Sequence, residues 1–190
     1  MQRNLTRLVP VVVWIVLIGI GMVKVGGWIG TPGRSGPVRD HWPLGTTLVQ
    51  RSGRPTLILF AHPMCPCLKA TRTELERVLL EIPTPLDLVI EVFSPAEGGF
   101  TWSPETLCGS LKHPRLILDP DGSDALRFGV RISGHVLLYG EEGGLIFSGG
   151  ITSGRGEVGP NPAMDALRCC LLGKSNAVTV WPVFGCPIHP

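Results

Sequence analysis

The sequence lacks an excess of charge of either sign: 17 lysines and arginines face 15 aspartates and glutamates in 190 residues, a formal net charge of +2. So even a balance supplies no broad field for holding phosphates, which argues against nucleic-acid binding. The chain has no internal repeat and no low-complexity block, and it is too short for two ordinary domains with a linker, so one packed core is expected. Its six cysteines include no two separated C-x-x-C pairs, so a zinc ribbon is not indicated. What the sequence does have is apolar residues, 44% of the total, with much of the excess in the first thirty positions.

From Leu8 to Val23 the chain is apolar without interruption, and with Lys24 snorkelling the stretch runs to Ile29, about the ~20 residues a bilayer core requires. It exceeds a usual signal-peptide core, and no A-x-A cleavage site follows, so retention as an anchor is expected over removal. Arg3 and Arg7 precede the run and only Lys24 follows closely, which by the positive-inside bias puts residues 1–7 in the cytoplasm. The soluble part then faces the periplasm or cell exterior from a single-pass inner-membrane anchor at 8–29. There disulfides persist, whether or not the anchor is cleaved. Six glycines and three prolines between Gly26 and Gly45 suit a flexible linker over 30–47, with Trp28 an interfacial residue.

The remaining chain reads as alternating strands and helices. Thr56 to Phe60 is a short buried strand that leads straight into Cys65-Pro66-Cys67. Leu68, Leu75, Val78, Leu79 and Ile82 then recur at helical spacing until Pro83, and Leu86 to Phe93 returns as a strand. Ser103 and Pro104 suit the start of a short helix to about Leu111. A strand over Arg115 to Leu118, a brief helix over Ser123 to Phe128 ended by Gly129, a hairpin of His135–Tyr139 and Leu145–Ser148, and a helix from Asn161-Pro162 to near Gly173 complete the order.

That order, with "TLILFAHPMCPCLKA", "LILDPDGSDALRFGV" and "HVLLYGEEGGLIFSGGI", resembles the thioredoxin family in its exported, membrane-tethered branch. The likeness spans about residues 48–173 and leaves 174–190 as a C-terminal tail. Within it, "HPMCPC", "SGHVLLYG", "GGITSGRG" and "VFGCPI" look most like the proteins labelled RedB. The resemblance implies an α/β thioredoxin-like fold, a central mixed sheet flanked by helices. It also implies that the family's cis-proline position aligns near Gly134, so that His135 beside it either borders the reactive turn or simply begins a strand.

A thiol attacks as its thiolate, and a helix N-terminus stabilises that charge through unpaired backbone N–H groups. Cys65 is therefore the expected nucleophile, Pro66 the first helical residue, and Cys67 the resolving thiol in the first turn. A bridge across one intervening residue makes a small strained ring, easier to reduce than a bracing disulfide. The leading expectation is a thiol-disulfide oxidoreductase acting on exported thiol or disulfide proteins, with a redox partner and no required cofactor. Cys65, Cys67, His62 and Met64 also form a soft ligand set suited to copper(I), with room left by the absence of a proline at Gly134. A third reading is a non-catalytic envelope adaptor. His62 is a candidate imidazolium or ligand; Cys186 and His189 in "GCPIHP" could reach the site from the tail, but with no helical or strand period there a surface tail is the favoured reading. At least one of Cys169 and Cys170 is expected in the core, Trp102 and Cys108 pack the inserted helix, and Arg155 with Glu157 fixes a loop.

Overall fold

The protein is described by a computed structural model covering residues 2–83, 85–95, 103–174 and 178–188, with side chains from residue 8 onward. Trp102, His189, Gly98 and Gly99 lie outside the described residues, as do the side chains of Arg3 and Arg7. The chain forms two compact units, Met1–Thr31 and Pro32–Pro190. In the first, α1 spans Gln2–Ile29, and its 22 residues from Leu8 to Ile29 are long and apolar enough to cross a membrane by length and composition.

In the second unit, β1 (Thr56–Ala61), α2 (Leu68–Leu80) and β2 (Asp87–Phe93) form a parallel β-α-β motif. It continues through α3 (Pro104–Cys108), β3 (Arg115–Asp119) and α4 (Ser123–Phe128) to the antiparallel hairpin of β4 (His135–Tyr139) and β5 (Leu145–Gly149). Helix α5 (Pro162–Leu171) and a two-residue strand, β6 (Thr179–Val180), follow. The sheet runs β3-β2-β1-β4-β5-β6, with β4 antiparallel to β1 and β6 parallel to β5. A β-α-β unit joined edge to edge with an antiparallel hairpin and a closing helix is the thioredoxin-like fold.

Residues point alternately to the two faces of a strand, and both faces of β1 are buried. Leu57, Leu59 and Ala61 join Leu75 and Val78 of α2 and Met164 and Leu167 of α5 in one core. Ile58 and Phe60 join Ala125 and Phe128 of α4, with Leu137 and Tyr139, in the other. This double burial explains why β1 reads as an uninterrupted apolar run. Leu75 and Val78 are wholly buried, and truncating such a leucine to alanine costs about 2–5 kcal/mol.

Two segments read as unstructured are laid onto this unit. In the expected linker, Gly33 N–H donates to Val183 O (2.8 Å) and Trp42 N–H to Gly143 O (2.9 Å). The Trp42 ring packs edge-on against Phe128 at 5.2 Å and Tyr139 at 5.3 Å. At the other end, the tail contributes β6 and buries Val183 and Ile188, each 1% exposed. The tail is thus part of the fold, because the β5 edge would otherwise leave ladder groups such as Ser148 O, which accepts from Trp181 N–H at 2.9 Å, without a protein partner.

Candidate functional site

The site forms where β1 turns into α2. Cys65 N–H donates to His62 O (2.9 Å) and Leu68 N–H to Cys65 O (3.1 Å), so Cys65, Pro66 and Cys67 wind into a tight turn ahead of the helix. Proline fits there because no backbone donor is needed at that position. The helix starts two residues later than expected. Cys67 is its N-cap, already in helical conformation (φ −72°, ψ −21°), and its carbonyl accepts from Ala70 and Thr71.

A second element is the loop before β4. Ser133 Oγ accepts from His62 N–H at 2.9 Å, tying this loop to the cysteine turn. Gly134 N–H donates to Phe60 O (2.8 Å). Gly134 has a positive φ of +87°, and a β-carbon there would lie 2.9 Å from Thr71 Oγ1 of α2. Glycine therefore allows the loop to press against α2 just behind the cysteines.

The third element comes from the tail. Ser133 N–H donates to Cys186 O (2.9 Å), Ile188 N–H donates to Arg131 O (2.8 Å), and Ile132 bridges Pro187 in antiparallel fashion. Gly185 crosses so close that a β-carbon would collide with Ser133 O, and the Arg155 guanidinium donates to Gly185 O. These contacts carry Cys186 to the cysteine turn. The sulfurs of Cys65, Cys67 and Cys186 all lie within 4.8 Å of one another, two of the residues buried and the third half-buried. All three are free thiols.

Their acidities diverge. Burial pushes the Cys65 thiol up, but hydrogen bonds from the Cys186 thiol and backbone, the Ser133 hydroxyl and the Cys67 backbone outweigh it, leaving Cys65 below its ordinary value. Burial and then the Cys65 charge raise Cys67. Cys186 is pushed up to about 12 by burial and by its hydrogen bond and proximity to Cys65. The cluster thus concentrates thiolate character on one sulfur and keeps protons on the other two, an arrangement suited to nucleophilic attack. Beside Cys65 an open groove of about 790 Å³ is lined by Pro63, Met64, Pro66, Lys69, Arg72 and Thr106, among others.

The other sequence candidates fall at varying distances from this chemistry. Met64 is 57% exposed at the groove. His62 is half-buried with its ring 5.5 Å from that of Phe93. Its Nδ1 accepts from Met64 N–H at 3.2 Å and burial lowers its pKa, so it is a neutral imidazole rather than the imidazolium considered from sequence. His135 follows Gly134, yet strand alternation turns it to the opposite face, with Leu137 and Tyr139. There its Nε2 meets Ser148 Oγ at 2.9 Å. Of the remaining thiols, Cys170 is buried, Cys169 exposed and Cys108 half-buried.

The sequence gives no sign of Ser133, and for Cys186 it favours a surface tail over the reach to the site that the structure shows. The β-branched alternation of Val178, Thr179 and Val180 is the signal that the tail rejoins the sheet, and it is too short to read alone.

No family model matches the chain, and no curated protein matches it. Among solved structures, an uncharacterised conserved protein from Geobacillus kaustophilus is 18% identical with a TM-score of 0.57, covering 84% of this chain and 92% of its own. A hypothetical protein from Sinorhizobium meliloti 1021 is 21% identical, also at 0.57, with coverage of 83% and 93%. StoA from Bacillus subtilis is 14% identical at 0.47, with coverage of 74% and 98%. The first two likenesses extend over nearly the whole fold.

Proposed function

We propose that this chain is a membrane-tethered thiol-disulfide oxidoreductase with its catalytic unit on the periplasmic or outer side, akin to the proteins labelled RedB. The observation that carries this reading is the Cys65 sulfur, held as the most acidic of three adjoining thiols at the edge of an open groove. An extended segment of an exported thiol or disulfide protein would lie in that groove, and a separate redox partner would reset the thiols. The 22-residue apolar stretch of α1 supports the tether, and the charges of Arg3 and Arg7 support the orientation.

The test is competitive alkylation of the reduced full chain at mildly acidic pH, followed by peptide mapping. Cys65 is expected to react first, ahead of the other five thiols, because its pKa lies below the ordinary range. Uniformly slow alkylation of all the cysteines would overturn the reading.

A second reading draws support from the same cluster. Three thiols within 4.8 Å form a trigonal sulfur set suited to copper(I) as cargo, with Cys186 in place of Met64 and His62 as the third ligand. Titration with Cu(I) against a competing chelator tests it: Cys186→Ser is expected to weaken binding strongly and Met64→Leu to leave it nearly unchanged. Neither rapid alkylation nor copper affinity would leave the adaptor reading.

A further inference from the structure

Cys65 has two thiol neighbours, and they differ in what a bridge would require. Cys67 is the helix cap, its backbone helical and its carbonyl engaged by Ala70 and Thr71. The Cys67 sulfur also lies within 4.8 Å of that of Cys65, but a bridge between them closes a ring across the single residue Pro66, which departs from ordinary disulfide geometry. Bonding Cys65 to Cys67 therefore strains the turn closed by Leu68 N–H and Cys65 O. Cys186 arrives on a separate strand of chain, with no short ring to close. Its thiol and its backbone N–H both already donate to the Cys65 sulfur, and the contacts of residues 185–188 with Arg131, Ile132, Ser133 and Arg155 hold it there.

We infer that Cys186, not Cys67, is the resolving thiol, so that the oxidised protein carries a Cys65–Cys186 disulfide fastening the C-terminal segment to the active-site turn. This inference rests on the proposed exchange activity. The Cys65 thiolate attacks one sulfur of a substrate disulfide; a Cys65–substrate bond forms, the substrate's own S–S bond breaks, and the departing thiolate takes the electron pair and a proton from solvent. Cys186 then gives up its proton and attacks the Cys65 sulfur. The mixed disulfide breaks, the second substrate thiolate leaves and is protonated, and the Cys65–Cys186 bond remains. Two protein thiols have lost two electrons to one disulfide, now two thiols. Loss of the Cys65 charge in the mixed disulfide removes one cause of the raised Cys186 pKa, easing deprotonation when it is needed. Cys67 keeps its backbone N–H on the Cys65 sulfur in either state, a function that a serine there would retain.

The experiment treats the reduced full chain, in detergent micelles, with glutathione disulfide as the substrate probe, quenches it in acid and maps the disulfides by mass spectrometry. The wild-type chain is expected to give the Cys65–Cys186 peptide. Cys186→Ser is expected to accumulate glutathionylated Cys65, resolving about tenfold or more slowly, while Cys67→Ser is expected still to yield the Cys65–Cys186 peptide as its product. A Cys65–Cys67 or Cys67–Cys186 product in the wild type overturns the assignment, as does accumulation in Cys67→Ser with normal resolution in Cys186→Ser. Each of these leaves Cys65 standing as an exchange nucleophile. If Cys65 takes up no glutathione at all, the assignment falls together with the proposed activity. The wild-type peptide map decides the question even if Cys186→Ser does not fold.

Discussion

Cys65 and Glu91 are packed against opposite faces of the same sheet, one 5% exposed and the other fully buried. Burial raises the pKa of both, since each acquires its charge by losing a proton. At Cys65 donors from Cys186, Ser133 and Cys67 surround the sulfur, and the thiolate is favoured. At Glu91 the neighbours are Asp119 and Asp124, which add to burial and push the carboxyl up to about 10. His135, on the Glu91 face, is likewise held neutral, lowered to about 4 by burial. What separates the faces is therefore not depth but the presence of groups that stabilise charge. The sulfur face holds a negative charge at Cys65, whereas on the other face Glu91, beside Asp119 and Asp124, and His135 are kept neutral.

The largest expected consequence lies at Glu91. Unfolded, it loses its proton near 4.5, whereas folded it keeps that proton to about 10. Between these values the native state binds more protons, so stability falls as pH rises, by about 1.4 kcal/mol per pH unit. Glu91→Gln keeps the shape without the titration. It is expected to remove this slope and to raise the denaturant midpoint at pH 8 more than at pH 5, as followed by tryptophan fluorescence. A variant with the wild-type slope would mean that Glu91 is charged in the folded protein.

His135 gives a somewhat smaller effect of opposite sign. Its folded pKa of about 4 lies below its ordinary value of 6.5, so the unfolded state binds the extra proton in between. The stability this histidine supplies is complete above the upper value and is lost as pH falls through the window, on the order of 3 kcal/mol in total. His135→Gln, which preserves a hydrogen bond to Ser148, is expected to flatten the acid side of the stability curve. Unchanged acid sensitivity would assign that loss to other groups.

These buried groups also mark how far the sequence could be read. The turn of Cys65, Pro66 and Cys67 was legible because strand, turn and helix are contiguous, and local periodicity fixes all three. His135 was legible only in part. Its position next to Gly134 suggested the site, while the period of two along β4 puts its ring on the far face. Cys186 and Ser133 were not legible, since a contact between a loop and the end of the chain depends on tertiary folding. A two-residue strand such as β6 and a close crossing at Gly185 leave almost no periodic trace. The same holds for residues 32–47, whose glycines and prolines read as a tether although their backbone hydrogen-bonds to the domain.

The smallest expected effect tests the comparison at its finest point. Ser133 is a single donor to Cys65 among several, and its Oγ also accepts from His62 N–H at 2.9 Å. A hydrogen bond to a charged group contributes about 1.5–3 kcal/mol, but the backbone and thiol donors of Cys186 and Cys67 remain when the serine hydroxyl is removed. Ser133→Ala should therefore move the Cys65 alkylation midpoint toward the ordinary thiol value by about one pH unit or less, slowing reaction at pH 6 by roughly tenfold at most. Ser133→Thr restores a hydroxyl and is expected to recover most of the wild-type rate. If Ser133 served only to brace the turn through His62, alanine would alter stability without moving the midpoint. The contrast between the two faces would then rest on the donors from Cys186 and Cys67 alone.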